Sequence, residues 1–137
     1  MRASRLSRFD LLRDERGVIV NFLVKTLVVF ALLGLIAYDL GQVVVAQVKA
    51  QDAAAAAAQA GADTWYSSKD ANKARVAAQD AAASEDPASH IIHFQVNSNG
   101  SVTVTVERTA NTLIVERVPP LRHFGVQEAT DQESHTF

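Results

Sequence analysis

The stretch that decides the reading is Asp14–Gln42, DERGVIVNFLVKTLVVFALLGLIAYDLGQ. Three charged residues and a glycine open into an apolar run in which, from Val18 to Tyr38, the only polar interruptions are Asn21, Lys25 and Thr26. Coiled as a helix, that run rises roughly 31 Å at about 1.5 Å per residue, enough to cross the hydrocarbon core of a bilayer. A secretory signal is the competing reading. Its apolar core is usually only about 7 to 15 residues long and ends at a small-x-small cleavage site, whereas here the helical pattern runs on past Gly41. The stretch therefore reads as a transmembrane helix over 18–40, preceded by a leader over 1–17.

Charge sets the expected orientation. Residues 1–17 carry Arg2, Arg5, Arg8, Arg13 and Arg16 against Asp10, Asp14 and Glu15, while the rest of the chain is acidic overall. Short positive flanks stay cytoplasmic, so the leader is expected inside and the remainder outside the cell membrane. With 137 residues, the chain has room for one modest domain beyond the span. It contains no cysteine, which removes disulfides, thiol nucleophiles and Cys-based zinc sites from consideration.

The helical pattern continues outward. GQVVVAQVKAQDAAAAAAQAGADTWY, from Gly41, has no proline and is dominated by alanine and glutamine, so one helix is expected from about Val18 to Ala60, with Gly61 as its stop. The tract Ala53–Ala58 has two readings: a low-complexity helical spacer, or a face whose small side chains let another element approach closely. Gly34, Ala37 and Gly41 share one helical face by their spacing and are candidates for helix packing in lipid. A second helix is expected from about Lys69 to Ala83, opened by Ser67 in a weak capping-box pattern with Asp70 and ended before Pro87. Residues 41–86 thus form an Ala-rich helical region.

After residue 87 the period becomes two. HIIHFQV (His90–Val96) and SVTVTVE (Ser101–Glu107) alternate, placing Ile92, Phe94 and Val96 on one face of the first strand and Val102, Val104 and Val106 on one face of the second. Asn97-Ser98-Asn99-Gly100 between them is a hairpin signal. NTLIVERV (Asn111–Val118) reads as a third strand and HFGVQEAT (His123–Thr130) as a short fourth. So small a sheet needs a cover, and the alanine-rich helix supplies one. The expected fold is α+β: a long N-terminal transmembrane helix continuing into an Ala-rich helix, a second helix, and a small antiparallel sheet over 87–137.

The Arg16-Gly17 pair before the apolar helix, Asp39-Leu40-Gly41-Gln42 at its outer end and QDAAAAAAQAGA beyond resemble the TadE/TadG-like family of pilus-assembly proteins of the tight-adherence (Flp) machinery, related to type IV prepilins. The resemblance covers about Glu15 to Ala62. It implies a pilin-like architecture and a minor pseudopilin, a structural subunit among other pilus or pseudopilin subunits and their assembly platform. It also implies a prepilin peptidase that recognises Arg16 and Gly17 and cuts after Gly17, leaving Val18 as the new N-terminus. The chain departs from the family pattern in three places, one of them the charged Lys25 inside the apolar run. Phe22 stands at the fifth position after the glycine, where many members have a glutamate, and Gln42 stands where an arginine is usual.

Two charges flank the span. Lys25, roughly 10 Å along the helix from Val18 at about 1.5 Å per residue, either snorkels to the cytoplasmic headgroups or pairs with Asp39 of a staggered neighbouring helix. Asp39 either marks the outer membrane boundary or forms that intersubunit pair. No catalytic constellation is visible: His90 and His93 are expected on opposite faces of a strand, and His123 and His135 have no evident partner. No enzyme activity and no cofactor are expected. Nor is nucleic-acid binding, since the arginines cluster in the leader. Trp65 and Tyr66 are expected to pack on the sheet. The alternative to a pilus subunit is a permanently membrane-anchored binding module that presents its sheet to an extracytoplasmic ligand.

Overall fold

A computed structural model describes residues 7–115 and 117–135, with side chains from 17 onward. In chain order the elements are helix α1 (Ser7–Ser68), helix α2 (Ala71–Glu85), strand β1 (Ser89–Val96), strand β2 (Val102–Thr109), a 3-10 helix (Pro119–Gly125) and strand β3 (Val126–Glu133). The chain divides into two units, Met1–Ala37 and Tyr38–Phe137.

In the first unit the apolar side chains of α1 point outward on every side. Phe22, Leu27 and Phe30 are each about two-thirds exposed or more, and Val20, Leu23, Val24 and Leu33 more than half. A helix that is apolar all round has no polar face to turn to water, so it belongs in a core or in lipid. Here no core covers it, and among the described residues this is the one helix long and apolar enough to cross a membrane. Thr26 is accommodated locally, its hydroxyl donating to the Phe22 carbonyl at 2.8 Å, a bond that needs no water.

In the second unit α1 acquires a buried face. Ala46, Ala50, Ala53, Ala54, Ala57, Ala58 and Ala62 are all essentially inaccessible, at the spacing of three and four that lines one side of a helix. From Ala50 onward these cluster with Ala78 and Ala82 of α2 and Val102, Val104 and Val106 of β2, with Trp65, Ile91, Phe94 and Val96 packed against them. The alanine tract is therefore a close-packing face and not a spacer. Its methyl-sized side chains contribute little area each, but they let the backbones approach until contact is dense.

Gly61 lies inside α1 and does not stop it. A Cβ placed there would lie 3.2 Å from both Phe94 Cε2 and Val102 Cγ1 and 3.5 Å from Ala78 Cβ, so the glycine marks the closest approach of α1 to the sheet and to α2. The helix ends seven residues later, where Lys69 adopts φ 51° and its amide donates to the Trp65 carbonyl at 2.8 Å. That left-handed residue turns the chain in the way a C-terminal glycine usually would. Helix α2 starts at Ala71, not Lys69, because Asp70 is its cap: its Oδ1 accepts from the Asn72 and Lys73 amides.

The sheet is antiparallel in the order β1-β2-β3. Asn97–Gly100 makes the predicted turn, with Gly100 at φ 84° and the Asn97 amide donating to the Ser101 carbonyl at 2.8 Å. The expected inward face of β1 needs correction. A bulge between Ile91 and His93 shifts the alternation by one, so Ile91 packs on the core and Ile92 is half exposed. Residues 111–115, 117 and 118, expected as part of a strand, form none. The third strand is Val126–Glu133, and the residues read as strand belong to the connection that leads into it.

Candidate functional site

That connection runs from Ala110 to Gly125 and is closed at its neck by the Ala110 amide donating to the Gly125 carbonyl at 2.6 Å. It is compact, with close ends, in the manner of an Ω-loop. Its backbone donors cannot join a ladder because they are engaged elsewhere. The amides of Leu113, Ile114 and Val115 donate to the carboxylate of Asp39 at 2.8, 2.7 and 3.1 Å. Three successive N–H groups converging on one carboxylate form a concave anion nest. Asp39 is only 2% exposed, and a buried carboxylate is tolerated only when bonded in this way.

Asp39 thus fastens to α1 a loop from the far end of the chain. The loop also carries exposed apolar side chains: Leu113 is 49%, Val118 37%, Leu121 36% and Phe124 55% exposed. The expectation for Asp39 was a boundary marker or an intersubunit partner of Lys25. The structure places both of its oxygens on amides of its own chain, which the sequence does not reveal.

A second polar tie holds α2 to the sheet. Asp86, buried at the C-terminus of α2, accepts from Ser89 Oγ at 2.6 Å and from Arg108 Nε of β2. Burial alone would push the Asp86 carboxyl up, but hydrogen bonds from Ser89, Arg108 and the Ala88 amide, with the Arg108 charge, hold it below the usual carboxylate range. A third tie closes the end of the described chain. His135 lies 2.7 Å from Asp63 Oδ1 and stacks on Tyr66 with ring centroids 4.2 Å apart. His135, for which the sequence offered no partner, therefore meets both Asp63 and Tyr66, while Trp65 packs on the core.

The remaining residues singled out in the sequence lie along α1. The Arg16 side chain falls outside the described residues. Gly17 and Val18 are exposed on the helix, as is Lys25. Gly34, Ala37 and Gly41 are exposed too, and a Cβ built on either glycine meets nothing within 4 Å among the described residues. His90 and His93 are both exposed, and among the described residues no group of three potential metal-ligating side chains occurs.

Residues 17–64, about a third of the chain, match the family model described as putative Flp pilus-assembly TadE/G-like. This is the family the sequence resembles. The match begins at Gly17, takes in the apolar run, Asp39 and the whole alanine face, and ends just beyond it. No curated protein and no solved structure matches the chain.

Proposed function

We propose that the chain is a minor pseudopilin or accessory membrane subunit of a tight-adherence (Flp) pilus assembly system, held by a single pass with its N-terminus in the cytoplasm and its folded head outside. The observation that carries this reading is the family match over 17–64, which covers both the candidate span and the helix on which the head is built. The basic leader supports the orientation. The spacing of Gly34, Ala37 and Gly41 supports association with other pilus subunits in the membrane.

Processing by a prepilin peptidase after Gly17 is part of the proposal, with Arg16, Gly17 and Val18 as the recognised residues. Phe22 is the observation that favours a second reading. Without a carboxylate near Val18, a new N-terminal amine has no acidic partner in its own chain's first turn, as a permanently anchored binding module would not need one. The test is the N-terminal sequence and intact mass of the protein from its native membrane, with and without the peptidase. A chain that begins at Val18 only when the peptidase is present supports the processed subunit. A chain that keeps residues 1–17 in both cases points to the permanent anchor.

A further inference from the structure

The three-stranded sheet has two free edges. Among the described residues β1 and β3 pair with no strand but β2, so each presents along its outer side a row of backbone N–H and C=O groups that a further strand can join. The two edges differ in charge. β3, VQEATDQE, holds Glu128, Asp131 and Glu133 and no basic residue, whereas β1, SHIIHFQV, holds no acid and two histidines. With Val102, Val104 and Val106 buried, alternation puts Thr103, Thr105 and Glu107 on the opposite face of the sheet. Their partners in register share that face: His90, His93 and Gln95 from β1, and Glu128, Thr130 and Gln132 from β3. The bulge between Ile91 and His93 brings both histidines to this side, where strict alternation would part them.

One row of that face is unbalanced. His90, Glu107 and Glu128 lie opposite one another across the three strands. Carboxylates directly opposite each other destabilise a sheet; Glu107 has an imidazole on its other side, while beyond Glu128 the sheet ends. Strands β1 and β3 are each antiparallel to β2 and therefore parallel to one another, so copies of the chain that face the same way bring β3 of one beside β1 of the next as a parallel pair. We propose that two copies join edge to edge in this way, with the second copy's His93 beside Glu128 of the first. Both side chains are exposed, and an imidazole donates an N–H to a carboxylate whether neutral or charged. The same register sets the second copy's Gln95 beside Thr130. The Gln132 amide already donates to Asp131 Oδ1 at 3.0 Å, so the part of β3 that is joined is 126–131. Pairing β1 with β1 would leave Glu128 without a donor, and pairing β3 with β3 would set carboxylate against carboxylate. Because it joins two different edges, the contact repeats without closing. It does not depend on the chain being a pilus subunit.

The test uses full chains reconstituted in phosphatidylcholine vesicles and a short bismaleimide cross-linker. The absence of native cysteine makes each introduced thiol unique. Chains with Gln95→Cys and chains with Thr130→Cys are incorporated together, at a dilution at which copies with Val76→Cys, exposed on α2, do not cross-link to one another. The edge contact predicts a 95–130 product severalfold more abundant than the 95–95 and 130–130 products, and its loss when Glu128→Lys is added to the Thr130→Cys chain. That substitution sets an opposite charge against Glu107 within its own head, so the head stays folded. Asp80→Lys, the same charge change on the exposed side of α2, should leave the product in place. A 95–130 product no more abundant than either like pair, including none at all, overturns the pairing. So does one that Glu128→Lys leaves unchanged, or that Asp80→Lys removes equally.

Discussion

The carboxylate of Asp39 is the residue on which the head's architecture turns. It stands 74 to 76 residues from the amides it accepts, so no local pattern announces the contact. NTLIVERV carries the β-branched residues of a strand, and in isolation a strand is the sound reading. Leu113, Ile114 and Val115 form a loop because their donors have a better acceptor than a neighbouring strand. Asp39→Ala should release the loop while leaving the alanine face packed: by hydrogen exchange, the amides of Leu113, Ile114 and Val115 should lose protection and approach the rate of open loop, with those of β2 unchanged. Unchanged protection at all three would mean that the nest does not hold the loop in solution.

Asp86 makes the corresponding prediction for acidity. Its folded-state carboxyl lies below the usual range, so the unfolded chain binds the proton more readily and folding is stabilised when the group is ionised. That contribution is complete above the ordinary carboxylate range near pH 4 and is lost as the pH falls through the lower folded value. Asp86→Asn should therefore flatten the acid limb of a stability-against-pH profile. An acid limb as steep as that of the parent would assign the pH dependence to other carboxylates.

Among the elements, α1 was the most legible, because periodicity and composition speak directly about a long helix. Its apolar run and its alanine-rich helical continuation both follow from the sequence. What the sequence could not decide was whether the alanines pack or merely propagate, since propensity favours the helix either way. The difference lies in partners found far along the chain. Gly61 was misread for the same reason: as a symbol it signals a helix stop, and only the sheet 3.2 Å from where its Cβ would stand explains why it interrupts nothing. The bulge at Ile91 and His93 likewise shifts a register that strict alternation assumes.

The packing face can be tested within one turn. Ala57 is fully buried against the sheet and α2, while Ala55 is exposed. Ala57→Leu should destabilise the head by about 1–3 kcal/mol through overpacking, whereas Ala55→Leu should be close to neutral, measured by thermal or denaturant unfolding in detergent or nanodiscs. Equal effects at the two positions would restore the spacer reading.

On the scale of the whole molecule, a candidate span and a folded head share one helix, and the family match covers where they join. Beyond residue 64 the head is held by this chain's own devices: the Asp39 nest, the Asp86–Arg108 tie and the His135–Asp63 contact. The central claim is that this assembly serves a pilus. The direct measurement is the number of Flp filaments per cell in a strain lacking the gene, complemented with the native chain or with Asp39→Ala. The account predicts that filaments are lost on deletion, restored by the native chain, and restored poorly by Asp39→Ala at equal protein level. Undiminished filaments in the deletion strain would contradict it.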